Sequence, residues 1–192
     1  MSVKQLQDEL QIHARLMEQT VEQCAPVIDA IAGSLLDCFR QGNKVLLCGN
    51  GGSAADSQHM AAEFVNRFRI DRAALPAIAL TVDTSILTAI GNDSSYEFTF
   101  SRQVEALGKP GDVLAAISTS GGSPNVLKAL EVAHSRGLKT IGFTGEKGRQ
   151  TMAPKCDLCL VVPSPDTPRV QEVHEFAWHV ICGIVERELF PQ

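Results

Sequence analysis

Residues 44–64 read "KVLLCGNGGSAADSQHMAAEF". A short apolar run rich in Val and Leu ends in three glycines within four residues, and a helical pattern follows. This reads as strand, glycine-rich turn, helix. Gly49, Gly51 and Gly52 let the backbone turn tightly and approach a ligand closely. The helix beginning near Ser53 then offers unpaired N–H groups and the positive end of its dipole. A dinucleotide fingerprint is the obvious rival and fits poorly. The spacing is G-x-G-G, and the candidate ribose-binding acid, Asp83, arrives about 30 residues after the loop, later than such sites place it. His59 and Glu63 lie four apart and share a helix face. That spacing suits two ligands of one metal, a base beside its orienting partner, or a plain surface contact, and the pair alone does not choose.

Working outward, residues 4–40 show helical spacing: Leu6, Leu10, His13, Leu16 and Met17, then Val27, Ile28, Ile31, Leu35 and Leu36. The pattern predicts an N-terminal helical pair over about 1–42, broken near Cys24–Pro26. Further strands are expected at 76–81, 112–118, 139–145 and 157–163, each short, apolar and bounded by Gly, Pro or polar residues. With 44–49 they make five. Continuous apolar strands between helices indicate a parallel sheet covered on both faces. The expectation is an α/β fold, a three-layer five-stranded parallel sheet flanked by helices, forming one domain over 1–192. A final helix is expected over about 168–189.

Ligands of such folds bind outside the carboxyl ends of the strands. A second polar loop, "ISTSGGSPNV" (117–126), falls at such an end. Ser118, Thr119, Ser120 and Ser123 supply four hydroxyls before a helix whose first position is Pro124. Capping by Ser123 would need one hydroxyl. Four in front of a helix N-terminus point to a phosphate site. The last helix, "RVQEVHEFAWHVICGIVERE", holds Gln171, His174 and His179. It is not the zincin H-E-x-x-H arrangement. Glu175 and His179 are spaced as an ordinary i,i+4 pair, His174 reads as a satisfied structural histidine, and Trp178 as core or interface. The CxxC at Cys156 and Cys159 falls in an expected strand, where residues three apart point to opposite faces, and no second CxxC completes a zinc knuckle.

The chain has 192 residues, 44% hydrophobic and 20% charged, with a net charge of −5. That balance disfavours a broad nucleic-acid surface while leaving room for a small pocket that takes an anionic metabolite. No run approaches the roughly 18 apolar residues of a membrane span. The N-terminal stretch is polar, without the apolar core of a signal peptide, and the six scattered cysteines suit free thiols in a reducing compartment. A cytoplasmic protein is expected, with neither nucleic acid nor membrane as partner.

Strand–"GNGGSA"–helix, "STSG" after a later strand and "RVQEVH" opening the last helix resemble the sugar isomerase (SIS) fold over nearly the whole chain. More narrowly, the chain resembles bacterial phosphoheptose isomerases. The resemblance implies interconversion of sedoheptulose 7-phosphate and D-glycero-D-manno-heptose 7-phosphate, feeding ADP-heptose and lipopolysaccharide synthesis. It also implies a homotetramer, and a zinc ion (Zn2+) held by His59, Glu63, Gln171 and His179. Gln171 and His179 are about 12 Å apart along a continuous helix. Hence either the helix starts after Gln171 or the site draws on more than one chain, and an interface site is expected. The implied reaction uses Glu63 as base at carbon and His179 as acid–base partner at oxygen. Ser118, Thr119, Ser120 and Ser123 would take the phosphate. Asn50, Gly51, Gly52, Ser53 and Gln171 would take the sugar or phosphate, and Asn92 and Asp93 the sugar hydroxyls. Arg67 would meet substrate or a neighbouring chain. Gly122 and Pro168 stand where the family often has Asn and Asp, with Asp166 the acid nearest to Pro168. A related protein binds the replication initiator DnaA without catalysis, and "NRF", "LPAIAL", "LTAI" and "LFP" resemble it. That branch lacks equivalents of Glu63 and His179, which favours the isomerase.

Overall fold

Both faces of the central sheet are buried, and this explains why its strands read as unbroken apolar runs. The computed structural model describes residues 3–191. In chain order the elements are α1 (Val3–Arg40), β1 (Val45–Gly49), α2 (Gly52–Val65), β2 (Ala77–Ala79), α3 (Thr84–Asp93), α4 (Ser101–Leu107), β3 (Val113–Ile117), α5 (Pro124–Ser135), β4 (Lys139–Gly145), β5 (Leu158–Val162) and α6 (Thr167–Leu189). The five strands are parallel in the order β2-β1-β3-β4-β5. Alternate side chains serve opposite layers. Val45 and Leu47 face α1, α2 and α6, in one core with Ile31, Phe64 and Trp178. Leu46 and Cys48 face α4 and α5, in a second core with Phe100, Val104 and Val126. β1 and β3 lie side by side, and the chain leaves them toward opposite sides of the sheet, so their carboxyl ends flank the topological switch point. Gly49 is in register with Ile117, so the two polar loops start next to each other.

The expected break at Cys24–Pro26 does not occur: α1 is one 38-residue helix with Pro26 inside it. Proline removes one intrahelical hydrogen bond and crowds the preceding turn. A continuous buried stripe outweighs that loss. Cys24, Ile28, Ile31, Ala32, Leu35 and Leu36 are buried in the core shared with α6 and the sheet, and the Cys24 thiol donates to the Val161 carbonyl at 3.5 Å. The first turns of α1 differ, with Val3, Leu6, Leu10 and Ile12 exposed. There the helix is tied by His13 Nδ1 to Glu172 at 2.7 Å.

The cysteine pair also departs from expectation. Cys156 lies outside β5, and only Cys159 is in the strand. Both sulfurs therefore gather over Gly142, where a Cβ would come within 2.7 Å of one and 2.8 Å of the other. All six thiols are free.

Trp178 belongs to the core. It stacks on Phe143 with centroids 4.4 Å apart and meets the Phe64 ring edge-on. His174 is fully buried against the Phe143 edge, and neither ring nitrogen has a hydrogen-bond partner among the described residues. Burial pushes its pKa down to about 4, opposed by the nearby Thr144 backbone.

Two outcomes follow from this packing. A Cβ on Gly49 would lie 2.7 Å from the Ser53 carbonyl oxygen, so Gly49→Ala forces the β1–α2 turn apart. Urea unfolding should show a loss of about 1–3 kcal/mol, and an unchanged midpoint would mean that the turn yields freely. The second concerns pH. His174 is neutral in the fold, so its contribution to stability is complete above its unfolded pKa and is lost as pH falls from 6.5 toward about 4. At about pH 4.5 the wild type should have lost about 2–3 kcal/mol more than His174→Phe, each measured against its own stability near pH 7. Equal acid losses in the two proteins would remove His174 as the cause.

Candidate active site

The β1–α2 turn works because Gly51 adopts φ 57, a conformation that side chains resist. Gly51 also caps α2 without a side-chain acceptor, leaving amides of the first turn open to a ligand. Asn50 is held by a reciprocal amide pair. Its Nδ2 donates to Asn125 Oδ1 at 2.8 Å, and Asn125 Nδ2 donates back at 3.0 Å. The Tyr96 hydroxyl donates to Asn50 Oδ1 at 3.1 Å. Asn125 thus joins the two loops across the switch point, Tyr96 adds a bond to Asn50 from the segment after α3, and neither stood out in the sequence. Ser53 is buried in the turn, with its carbonyl accepting from the Ser57 hydroxyl at 2.8 Å.

The β3–α5 loop is anchored from below. The Ser118 amide donates to the Phe143 carbonyl at 2.9 Å, and the Gly145 amide donates to the Thr119 carbonyl at 3.0 Å. Gly121, at φ 65, packs directly on Gly148, where a side chain would overlap backbone. Ser123 precedes α5 but makes no side-chain cap. Its hydroxyl lies 3.0 Å from that of Ser118 instead. Ser120 is exposed, and its hydroxyl accepts from the Gly122 amide at 3.3 Å. Capping by Ser123 therefore does not account for this loop.

The third component is the seam between α2 and α6. Gly52 lies against Gln171, whose Nε2 donates to both Asp56 oxygens at 3.0 and 3.2 Å. Asp56 is buried. Burial raises its pKa, Glu175 adds to the rise, and the Gln171 hydrogen bond and His59 oppose it. One α2 turn farther on, His59 Nε2 is 3.3 Å from Glu63 and its Nδ1 is 3.7 Å from Glu175. The His59 ring meets His179 edge-on at 5.1 Å between centroids, and His179 stacks on Phe68 at 5.7 Å and 16°. His59, Glu63 and His179 are therefore together, as the family resemblance implies. Glu175 pairs with His59 rather than with His179. Asp56 and Phe68 are additions. Asp56 went unread because a carboxylate on a helix reads as surface until the packing is known.

Other expected residues lie apart from this seam. Asn92 and Asp93 sit exposed at the end of α3, with Asn92 Nδ2 donating to Asp93 Oδ1 at 2.7 Å. Arg67 is exposed in the segment that follows α2.

The zinc expectation is corrected. Among the described residues no group of three or more His, Cys, Asp or Glu side chains is arranged to hold a metal ion. A ligand set needs lone pairs converging on one point at about 2 Å. Here the His59 nitrogens face two carboxylates, the Gln171 amide donates to Asp56, and His179 lies flat on Phe68. A helix starting after Gln171 is also excluded, because α6 begins at Thr167 and carries Gln171 and His179 two turns apart.

The SIS domain family model matches residues 10–145. A phosphoheptose isomerase from Roseiflexus sp. (strain RS-1) is 57% identical over 185 residues, covering 96% of this chain and 93% of that protein. Solved phosphoheptose isomerases are closely similar in structure. That of Neisseria gonorrhoeae has a TM-score of 0.90 and 40% identity, covering 95% of this chain and 97% of its own. That of Francisella tularensis has a TM-score of 0.91 and 35% identity, covering 97% and 99%. Its switch-point loops, the seam between α2 and α6 and these relatives together place the chain in the SIS-domain superfamily and, within it, in the phosphoheptose isomerase family.

Proposed function

We propose that the chain is a phosphoheptose isomerase, an intramolecular sugar-phosphate isomerase. It converts sedoheptulose 7-phosphate to D-glycero-D-manno-heptose 7-phosphate for ADP-heptose and lipopolysaccharide synthesis. The observation that carries this reading is the meeting of Glu63 and His179 around His59, on the facing helices α2 and α6.

Aldose–ketose exchange moves one proton between adjacent carbons through an enediol. It needs a base at carbon and a proton carrier at oxygen. Glu63 takes the carbon proton, oriented by His59, and His179 carries the proton at oxygen. Ser118, Thr119, Ser120 and Ser123 hold the phosphate, together with open amides at Gly51, Gly52 and Ser53. Asn50 and Gln171 are each held by hydrogen bonds, which suits them to orient the sugar chain. Asn92 and Asp93 take sugar hydroxyls, and Arg67 takes substrate or a neighbouring chain. The relatives' names supply the heptose, since the loops define a phosphate and not a chain length.

In this reading residues 1–192 act as one SIS unit within a homotetramer, with the site completed at a subunit boundary. Exposed Val3, Leu6, Leu10 and Ile12 on α1 support the assembly, as does α3, which has no buried residue. Six free thiols suit a cytoplasmic location. The net charge of −5 weighs against nucleic acid as a partner. No membrane partner is assigned, and among the described residues no helix is long and apolar enough to cross a membrane. Recruitment of the initiator DnaA without catalysis is the weaker reading, because it gives the cluster of Glu63 and His179 no task.

Proton NMR of the purified protein with sedoheptulose 7-phosphate should show the aldoheptose phosphate appearing. Glu63→Gln should lower kcat by about 10²–10⁴-fold, and Ser123→Ala should act mainly on KM. A wild type that forms no product would sink the isomerase reading, and a fully active Glu63→Gln would reassign the base.

A further inference from the structure

Seven residues beyond His179 on the same helix, Glu186 is buried with its side chain 5% exposed. Both carboxylate oxygens are fully used. Oε1 accepts from the Phe68 amide at 3.1 Å and from Arg72 Nε at 3.1 Å. Oε2 accepts from the Arg69 amide at 2.9 Å and the Ile70 amide at 3.3 Å. Three successive backbone amides thus wrap one side chain, and these hydrogen bonds hold the Glu186 pKa below the usual carboxylate range despite burial. Arg72, side chain 2% exposed, completes the arrangement. Its Nη2 donates to the Glu63 carbonyl at 2.8 Å and its Nη1 to the Phe64 carbonyl at 2.9 Å. One ion pair therefore ties the last turn of α2, which carries Glu63, to α6, which carries His179.

The segment so fixed delivers one ring to the site. Phe68 lies nearly parallel to His179, 5.7 Å away and tilted by 16°. Arg69 is drawn over the Phe68 ring, with Cζ 5.1 Å from its centroid. The His59 ring meets His179 edge-on. A histidine ring turns broadly about its last torsion, so its plane must be set by what packs on it. We infer that Phe68, anchored by Glu186 and Arg72, is a positioning residue that fixes the ring plane of His179 for proton transfer. A purely structural task explains this arrangement poorly. A buried ion pair is commonly replaceable by apolar packing at no loss of stability, and Phe68 is only partly buried. The inference rests on the isomerase reading, in which His179 carries the proton.

The test is Phe68→Leu, with Phe68→Tyr as the conservative control and Glu186→Gln as the variant of the anchor. Phe68→Leu leaves the buried ion pair in place and should fold. With sedoheptulose 7-phosphate its kcat should fall about 10- to 100-fold, as expected for a small misplacement of a reacting group, with KM little changed. Phe68→Tyr should restore kcat. In proton–carbon NMR of histidine-labelled protein, the His179 Hε1 signal, assigned with His179→Gln, should move downfield in Phe68→Leu as the ring-current shielding is lost. Glu186→Gln, if folded, should show the same two changes. A Phe68→Leu enzyme that keeps wild-type kcat, changes only KM, or leaves the His179 signal in place overturns the inference alone. A wild type without turnover overturns the isomerase reading and this inference with it.

Discussion

Everything in the site depends on how closely α2 can approach α6, and that approach is set where Gly52 meets Gln171. A Cβ on Gly52 would stand 2.5 Å from both polar atoms of the Gln171 amide. Without it, the first turns of the two helices touch, and the pairs then advance in step. Asp56 takes the Gln171 amide, His59 reaches Glu175, and the His59 ring meets His179. The α2 positions 52, 56, 59 and 63 recur every three or four residues and so share a face. Two helices running in the same direction, as parallel strand–helix units require, bring these faces together along their length.

The sheet contributes the second axis. Because β1 and β3 are neighbours and send their helices to opposite faces, their two loops open into one crevice. The Asn50–Asn125 amide pair spans it and fixes the spacing of the loops. A charged ligand end taken up by the hydroxyl loop leaves the rest of that ligand to extend along the seam. In the proposed reaction, binding and proton transfer fall to different elements, so that energy from a remote phosphate orients a reacting carbon.

The strands were legible because burial on both faces writes itself as a run of apolar residues, and the two loops at the switch point were legible because glycine and hydroxyl clusters break such runs at strand ends. The unbroken α1 was not, since Pro26 is a local signal while the stripe that overrides it is set by contacts with α6 and β5. The zinc expectation failed for a related reason. The resemblance implies that His59, Glu63, Gln171 and His179 serve one ion, but the direction of each side chain depends on its neighbours. Asp56 takes the Gln171 amide, and Phe68 takes one face of His179. Neither contact has a signature at fixed spacing, because each joins segments more than a hundred residues apart in the chain.

Helix α6 shows why such contacts are worth their cost. Val170, Val173, Ala177, Trp178, Ile181 and Val185 satisfy the ordinary demand for an apolar face. Gln171, Glu175, His179 and Glu186 form a second, polar stripe that faces α2 and the segment after it rather than open water. Polar groups held between elements are expensive unless each finds a partner, and Gln171, Glu175 and Glu186 do so with Asp56, His59 and the 68–72 segment. Glu186 is saturated with four hydrogen-bond donors. The stripe's least saturated members are His179, which rests on rings, and Glu175, which lies 3.7 Å from His59. Saturation is greatest at Glu186 and least at His179 and Glu175, the distribution expected where rigidity is built at one end of a helix and the proposed chemistry falls in its middle.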